Sequence, residues 1–309
     1  MARKRRGQPV HGWLALDKPE GLTSTQALGK ARWLLDAAKA GHGGTLDPLA
    51  TGILPIAFGE ATKTVSFAMD GRKTYRFEVA WGTATATDDR EGEVIATSET
   101  RPDAAALSAA LAAFTGDIEQ VPPKFSAIKV DGARAYDLAR ADKTVELKPR
   151  QVRIDRLERI DSGENPDGAV FEADCGKGTY IRALARDLAL AVGTVGHVAR
   201  LRRTRCGPFD EKMAISLDNL EALGHKAAGS GVLLPVATVL DDIPALALTE
   251  EEARRMRHGQ AVSIFAVANR TPISGLTPGT AVQAVCGDRL IAVATIADGL
   301  LKPVRVLNI

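Results

Sequence analysis

The stretch from Gly41 to Gly52, GHGGTLDPLATG, places one carboxylate among residues that shape the backbone. Its glycines permit positive φ angles and a close approach to a ligand, and Pro48 fixes the turn directly after Asp47. We therefore predict a rigid, irregular loop that presents Asp47 into a cleft. An unperturbed aspartate has a pKa of about 3.9, so this side chain is an anion at neutral pH. Taken by itself, Leu46-Asp47-Pro48 is also typical of an Asx turn or a helix cap.

The same stretch is part of a longer series of motifs. It resembles GHxGxLDPxAxG, the catalytic loop of the bacterial tRNA pseudouridine-55 synthases of the TruB type. Further motifs of that family follow in the family's order: DKPEG (17–21), GEATK (59–63), KTYR (73–76), GTYIR (178–182) and LRRT (201–204). The departures are slight, since Gly43 and Thr45 occupy small-residue positions that vary among the family's members.

The resemblance implies an isomerase that converts uridine 55, in the T-loop of tRNA, to pseudouridine. Such an enzyme breaks the N-glycosidic bond of a flipped-out uridine, turns the uracil and rejoins it through C5. The reaction requires no redox change, metal or cofactor, and the sequence suggests none. Asp47 would be the catalytic residue. Three routes stay open for it: attack on C1′ of the ribose, addition to the uracil ring, or removal of a 2′ proton.

The resemblance also assigns substrate-binding roles to five residues, which are His42, Tyr75, Tyr180, Arg182 and Leu201. Arg182 would pair with the catalytic carboxylate and keep it ionised. Tyr75 would stack on the flipped base, Tyr180 and Leu201 would line its pocket, and His42 would fill the space that the flipped bases leave in the RNA. Plainer interpretations exist for each: a core aromatic or leucine, a surface arginine, a structural histidine.

Other functions fit the sequence less well. His42-Gly43-Gly44 faintly resembles the oxyanion loop of α/β-hydrolases, but the chain has no GxSxG nucleophile motif. No Walker lysine follows the glycines, which argues against a phosphate-binding loop. The more serious alternative is a non-catalytic RNA-binding chaperone that folds tRNA. Chaperone activity could also coexist with catalysis.

The composition is that of an ordinary soluble enzyme, with 309 residues of which 45% are apolar. No apolar run approaches the roughly 18 residues of a membrane span, and the N-terminus lacks the apolar stretch of a signal peptide. Cys175, Cys206 and Cys286 are odd in number and widely spaced, which fits a reducing environment rather than disulfides or a zinc site. We therefore expect a cytoplasmic protein that does not contact membranes.

Basic residues are concentrated in three places, although the net charge is only +2. These are residues 3–6, the stretch 124–159 with ten Lys/Arg against six Asp/Glu, and Arg200, Arg202, Arg203 and Arg205. One such cluster is commonly a solvated face, but three beside a base-modifying motif favour phosphate contacts. We expect the partner to be the T-stem and loop of tRNA, bound by a monomer that needs no protein partner.

The resemblance implies an α+β fold, namely a mixed-sheet pseudouridine synthase catalytic domain followed by a small β-rich, PUA-like C-terminal domain, and hydrophobic periodicity predicts the individual strands and helices. We divide the chain into a basic tail (1–9), the catalytic domain (10–242) with a mobile, thumb-like insertion at about 124–150, and a PUA-like RNA-binding domain (243–309). Strands are predicted at 12–17, 75–81, 151–160, 169–175, 263–268, 281–286, 290–296 and 304–309. Helices are predicted after Thr23 and at 104–114, 180–192 and 250–258.

Overall fold

The computed structural model describes residues 7–126, 129–130, 133–134, 147–161 and 165–309. Most of the predicted basic tail and most of the predicted thumb-like insertion lie outside the described residues. The described residues form a ten-stranded sheet, a five-stranded sheet and two short hairpins.

Fourteen strands precede the C-terminal sheet within the described residues. They are β1 (Gly12–Lys18), β2 (Ala40–His42), β3 (Thr51–Phe58), β4 (Lys73–Trp81), β5 (Thr83–Thr85), β6 (Val94–Thr97), β7 (Gly116–Gln120), β8 (Lys129–Val130), β9 (Ala133–Arg134), β10 (Arg150–Arg159), β11 (Gly168–Cys175), β12 (Gly196–Cys206), β13 (Phe209–Asp210) and β14 (Ile215–Ser216). The large sheet runs β14-β1-β3-β12-β4-β11-β10-β7, with β2 beside β3 and β13 beside β12. It is mixed, because β14 is parallel to β1 and β12 is parallel to β3 while the other pairs are antiparallel.

The helices in the described part of the chain are α1 (Ser24–Leu34), α2 (Val65–Asp70), α3 (Ala104–Ala113), α4 (Ile181–Ala191), α5 (Leu217–Leu223), α6 (Glu250–Arg257) and α7 (Ile264–Ala268). Three further segments, Gly59–Thr64, Gly224–Gly229 and Val236–Leu240, are 3₁₀-helical. Helix α1 begins with a capping box, in which Thr23 and Gln26 satisfy each other's backbone N–H groups. The helices predicted after Thr23 and over 104–114, 180–192 and 250–258 are therefore confirmed, with ends shifted by a few residues at most.

The large sheet is buried on both faces at one end and on one face at the other. In β1, Leu14 packs towards α1 and α5 whereas Trp13 packs on the opposite face, and both are fully buried. In β4, alternate residues such as Phe77 are buried while Arg76 is exposed, which confirms the predicted period-two strand. The predicted strand pair around residue 165 is also confirmed, as β10 and β11.

Two strands near the middle of the large sheet, β3 and β12, were missing from the sequence prediction. Strand β12 contains four arginines within six residues, 200–205, and that composition indicated a phosphate-binding face rather than a strand. Packing between β3 and β4 overrides this local signal, since the sheet buries every second or third residue of β12.

The second sheet contains β15 (Ala245–Ala247), β16 (Val262–Ser263), β17 (Ala281–Cys286), β18 (Arg289–Ala297) and β19 (Leu300–Val306), in the order β15-β17-β18-β19-β16. The strand predicted over 263–268 is wrong, because that segment is mostly helix α7. The strand predicted over 304–309 begins earlier, at Leu300, and ends at Val306. The α+β class, with a mixed sheet and a separate smaller C-terminal sheet, is confirmed.

The two sheets meet through an apolar cluster in which Leu290, Val293 and Leu307 pack with Trp13 and Phe209. The GEATK motif lies at this junction. Its Lys63 donates hydrogen bonds to Glu60 and to the Val306 carbonyl, and Glu60 accepts one from the backbone N–H of Asn308. We retain the division between residues 242 and 243 as a proposal.

Candidate active site

The loop that carries Asp47, residues 43–50, is irregular and depends on one glycine near its start and one just after its end. Gly44 has a φ of +126° and Gly52 a φ of +97°, in the region that favours glycine. A Cβ atom at Gly52 would lie 2.2 Å from the backbone oxygen of Arg203. The loop can therefore run against β12 only because this position has no side chain.

Two side chains from the N-terminal segment hold the middle of this loop. The hydroxyl of Ser24 accepts a hydrogen bond from Leu46 N–H at 2.7 Å and donates one to its carbonyl at 2.9 Å. The fully buried ammonium of Lys18 donates to the carbonyls of Leu22, at 2.7 Å, and Pro48, at 3.2 Å. Burial lowers the pKa of Lys18 to about 8.

Arg203 holds the start of the loop from inside the sheet. Its guanidinium donates to the carbonyls of Ile53 at 2.7 Å, Gly44 at 3.2 Å and Thr45 at 3.3 Å, and it lies 3.5 Å from the hydroxyl of Tyr75. Only 1% of the residue is exposed, and within the described part of the chain no carboxylate forms an ion pair with it. Carbonyl dipoles therefore take the place of a counter-ion.

Oδ2 of Asp47 lies 2.9 Å from Nε of Arg182, so the two side chains form the ion pair that the resemblance implies. The rest of the guanidinium is also held: Nη1 donates to the Thr87 carbonyl at 2.8 Å and Nη2 to the Phe125 carbonyl at 2.9 Å. Nη1 further lies 3.3 Å from Oδ2 of Asp89. The arginine is nearly buried, whereas 36% of the Asp47 side chain is exposed. The result is a fixed cation behind an accessible anion.

Five of the six predicted site residues line one cavity of about 430 Å³: Asp47, Tyr75, Tyr180, Arg182 and Leu201. They come from four separate elements, namely the loop, β4, the start of α4 and β12. Burial raises the pKa of Tyr75 to about 12 and also raises the pKa of Tyr180. Both phenols are therefore protonated at neutral pH and can donate hydrogen bonds into the cavity.

The sixth residue, His42, does not line this cavity. It lines a neighbouring one of about 480 Å³, which is also lined by Asp47 and Arg182. Burial lowers the pKa of His42, so the imidazole is neutral at neutral pH. Among the described residues, nothing forms a hydrogen bond with its buried Nδ1.

Sequence reasoning missed the residues that support the loop. Lys18 lies in the DKPEG motif and Ser24 near the helix start, but neither was predicted to touch the loop. Asp89 was not singled out at all. It lies in the stretch TATATDD (83–89), and short runs of threonine and aspartate are too common to indicate a functional residue. These contacts link positions up to 159 residues apart, which no local pattern reveals.

Burial and ion pairs engage many of the described residues in two of the basic clusters. In β12, Arg203 is buried and cannot reach phosphate, Arg202 is half-buried and pairs with Asp17 and Glu211, and Arg200 is exposed. In β10, the basic residues face acidic neighbours: Arg153 pairs with Asp117 and Asp155, Arg156 with Glu158, Glu172 and Asp174, and Arg159 with Asp161. The local excess of positive charge is therefore smaller than the sequence count indicates.

None of the helices in the described ranges is both long and apolar enough to cross a membrane. The three cysteines are free and buried.

Comparison with known structures supports the fold. The chain is similar to the protein in the crystal structure of the archaeal box H/ACA sRNP Nop10–Cbf5 complex, at 22% identity and a TM-score of 0.72, over 99% of this chain and 92% of that one. It is equally similar to a chain of an H/ACA RNP bound to a substrate RNA containing 2′-deoxyuridine, at 21% identity and a TM-score of 0.73, over 100% and 92% of the two chains. These two likenesses show that the chain shares its fold with those proteins.

Sequence comparison is more specific. Residues 32–181 match the TruB family pseudouridylate synthase N-terminal domain, and residues 182–241 match the tRNA pseudouridylate synthase B C-terminal domain. The chain is 59% identical to tRNA pseudouridine synthase B of Rhodospirillum rubrum and 54% identical to that of Caulobacter vibrioides, in both cases over all of each chain. This chain belongs to the TruB family of pseudouridylate synthases.

Proposed function

We propose that this protein isomerises uridine 55 in the T-loop of tRNA to pseudouridine, with Asp47 as the catalytic residue. Membership of the family supports the reaction, and full-length relatives named tRNA pseudouridine synthase B support tRNA as the substrate. The single observation that carries the residue assignment is the Asp47–Arg182 ion pair, 2.9 Å long, in the wall of a cavity shared with two tyrosines.

The cavity has the size and chemistry for one extruded nucleoside. Its volume of about 430 Å³ falls in the range of small-ligand sites. In the complex we propose, the ring of Tyr75 stacks on the uracil, and the protonated phenols and the backbone around Tyr180 bond its polar edge. Leu201 supplies an apolar wall. Removing the base from water in this way strengthens each electrostatic contact around it.

Asp47 performs the chemistry because it is both accessible and held in orientation. The neighbouring guanidinium pairs with the carboxylate, and its own bonds to two carbonyls hold that guanidinium in place. The reaction breaks the bond from C1′ to N1 and forms one from C1′ to C5; a proton leaves C5 and another is gained at N1. The carboxylate can assist by attack on C1′, by addition to the ring or by removal of the 2′ proton.

His42 contacts the RNA beside the extruded base in this proposal. Its neutral ring borders the second cavity, on the same ion pair, and its buried Nδ1 is available for a polar group of the substrate. In this proposal Arg200, which is exposed, contacts a phosphate of the T-stem. We further propose that the protein acts as a single chain in the cytoplasm; the three buried free cysteines support the reducing compartment.

The test is base-resolution mapping of pseudouridine in tRNA from cells that lack this protein. Complementation with the wild type is expected to restore pseudouridine at position 55, and complementation with Asp47→Asn is not. Exposed Asp242→Asn is the matched control and should complement fully. If Asp47→Asn restores the modification, the catalytic assignment is wrong. If modification is lost but tRNA folding assistance persists in that variant, the chaperone activity coexists with catalysis and does not depend on it.

A further inference from the structure

Gln120 is a buried polar residue that the function described so far does not use. It is the last residue of β7, where its backbone pairs with Arg150, and only 2% of it is exposed. Its side-chain amide makes two hydrogen bonds to the backbone of one residue. Tyr180 N–H donates to Oε1 at 2.8 Å, and Nε2 donates to the Tyr180 carbonyl at 3.1 Å.

These two bonds act at the beginning of the helix that carries Arg182. The N-cap residue of α4 is Tyr180, whose side chain forms no capping hydrogen bond. The Tyr180 carbonyl also accepts the first helical bond, from Leu184 N–H at 3.0 Å. The amide of Gln120 therefore fixes the backbone plane at which the helix starts, as a neighbouring strand would.

The segment that follows Gln120 is attached to the same helix. The Val121 carbonyl accepts from Arg186 Nη2 and the Phe125 carbonyl from Arg182 Nη2, both at 2.9 Å. In these two contacts the helix residue supplies a long, flexible side chain. Gln120 differs because it holds the helix backbone itself, two residues before Arg182.

We propose that Gln120 is a positioning residue, whose amide sets the start of α4 and thereby places Tyr180 and Arg182 against Asp47. The inference rests on the proposed function, because it assigns Gln120 a part in the same reaction. A displacement of about 1 Å at a reacting group can cost about 10²-fold in rate. Gln120 therefore acts on turnover through Arg182 and Tyr180, without touching the substrate.

Three variants separate the two hydrogen bonds. Gln120→Met keeps the length of the side chain and removes both, so kcat should fall about 10- to 10²-fold with KM changed less than about threefold. Gln120→Glu keeps the acceptor for Tyr180 N–H but, when ionised, has no donor for the Tyr180 carbonyl. Gln260→Met, at an exposed position in the C-terminal unit, is the control and should behave as wild type.

The pH dependence distinguishes positioning from general loss of structure. A protonated carboxyl has one donor and one acceptor, as the amide does, and burial raises the pKa of the introduced carboxyl. The kcat of Gln120→Glu relative to wild type should therefore rise about tenfold as the pH falls from about 8 to about 5.5. The same ratio for Gln120→Met should stay flat, because that side chain does not titrate.

A second measurement does not depend on activity. Amide hydrogen exchange at Tyr180 should accelerate at least about tenfold in Gln120→Met and remain slow in Gln120→Glu, which keeps the acceptor. Wild-type kcat in Gln120→Met, or a loss in Gln120→Glu that does not recover at low pH, would overturn the proposal. If the wild type itself forms no pseudouridine in tRNA, the proposed function fails. Unaltered amide exchange at Tyr180 in Gln120→Met would instead refute only the positioning role of Gln120.

Discussion

The catalytic loop, residues 43–50, and the C-terminal sheet, residues 245–306, are held in place by opposite means. Polar side chains hold the loop: Lys18, Ser24 and Arg203 bond its backbone. Apolar contacts hold the sheet: a core of Leu, Ile, Val and Ala lies within it, and a second cluster joins it to the large sheet.

The difference follows from what each region must do. An irregular loop has no strand or helix to satisfy its carbonyls, so buried donors from elsewhere must do so, at defined angles. A sheet satisfies its own backbone and requires only that its apolar face be covered. The loop should therefore be sensitive to the geometry of single groups, and the C-terminal sheet to the volume of its side chains.

The largest effect is expected where the loop meets the substrate. Asp47→Asn should lower kcat by at least about 10³-fold, because an amide cannot replace the anion in any of the three routes. Affinity for unmodified tRNA should change little, since many phosphate contacts contribute to it. Single-turnover kinetics and a binding titration measure the two. More than a tenth of wild-type activity in this variant would contradict the assignment.

Next in size is the support of the loop by Arg203. Arg203→Met leaves the carbonyls of Gly44, Thr45 and Ile53 without their donor, and the free energy of unfolding should fall by about 3–5 kcal/mol. Arg200→Met, at an exposed position on the same strand, should change it by less than about 0.5 kcal/mol. Urea denaturation of both variants provides the comparison. If both variants lost the same free energy of unfolding, the burial of Arg203 and its bonds to the loop carbonyls would not contribute to stability.

In the C-terminal region, the test that contrasts with Arg203→Met is to reduce the volume of one buried apolar side chain. Leu307, 2% exposed, packs at the junction of the two sheets, and Leu307→Ala should lower the unfolding free energy by about 2–4 kcal/mol. Turnover well below the melting temperature should stay within about twofold of wild type. Ile309→Ala, at an exposed position two residues further on, is the control. A large fall in kcat for Leu307→Ala would show that the site depends on this junction.

Substitutions of Tyr75, beside the loop, separate the contribution of its hydroxyl group from that of its ring. Tyr75→Phe keeps the stacking face and should preserve RNA affinity, whereas Tyr75→Ala should lose about 1–3 kcal/mol of binding. Because the phenol donates a hydrogen bond to the uracil in the complex we propose, its loss in Tyr75→Phe should lower kcat about 10²-fold. Normal turnover by the Phe variant would leave stacking as the whole role of this residue.

The smallest effect per step of the measurement concerns Lys18 and appears only when the pH is changed. The pKa of this ammonium is about 8 in the folded protein and about 10.5 in the unfolded chain, because burial disfavours the charge. Between these values the unfolded chain binds a proton that the folded protein lacks, so the free energy of unfolding should rise with pH, by up to about 1.4 kcal/mol per unit.

Lys18→Met has no ammonium at this position and should lack that part of the rise. The measurement is the difference between the two proteins' unfolding free energies at several matched pH values from about 7.5 to about 10.5. Taking the difference removes the contributions of other groups that titrate there, such as Cys175, whose pKa burial raises to about 12. Parallel curves would show that Lys18 is no less easily protonated in the folded protein than in the unfolded chain.

The sequence alone determined the family and most of the local structure. The GHGGTLDPLATG loop predicted an accessible Asp47, and period-two alternation located β4, because local backbone preference and hydrophobic pattern act over short spans. It also predicted which residues would come together: five of the six predicted site residues line one cavity. What carried that prediction was the series of motifs and not the spacing, since Asp47 and Arg182 are 135 positions apart in the chain.

Tertiary structure decided what the charged residues do. Arg200 and Arg203 belong to the same basic stretch, yet one is exposed and the other is buried among carbonyls, because the pleat of β12 directs them to different surroundings. The residues that fix the catalytic loop could not be identified from the sequence for the same reason. Lys18, Ser24 and Arg203 meet it only when β1, α1 and β12 pack around it, and the need of a buried carbonyl for a donor arises only after that packing has excluded water.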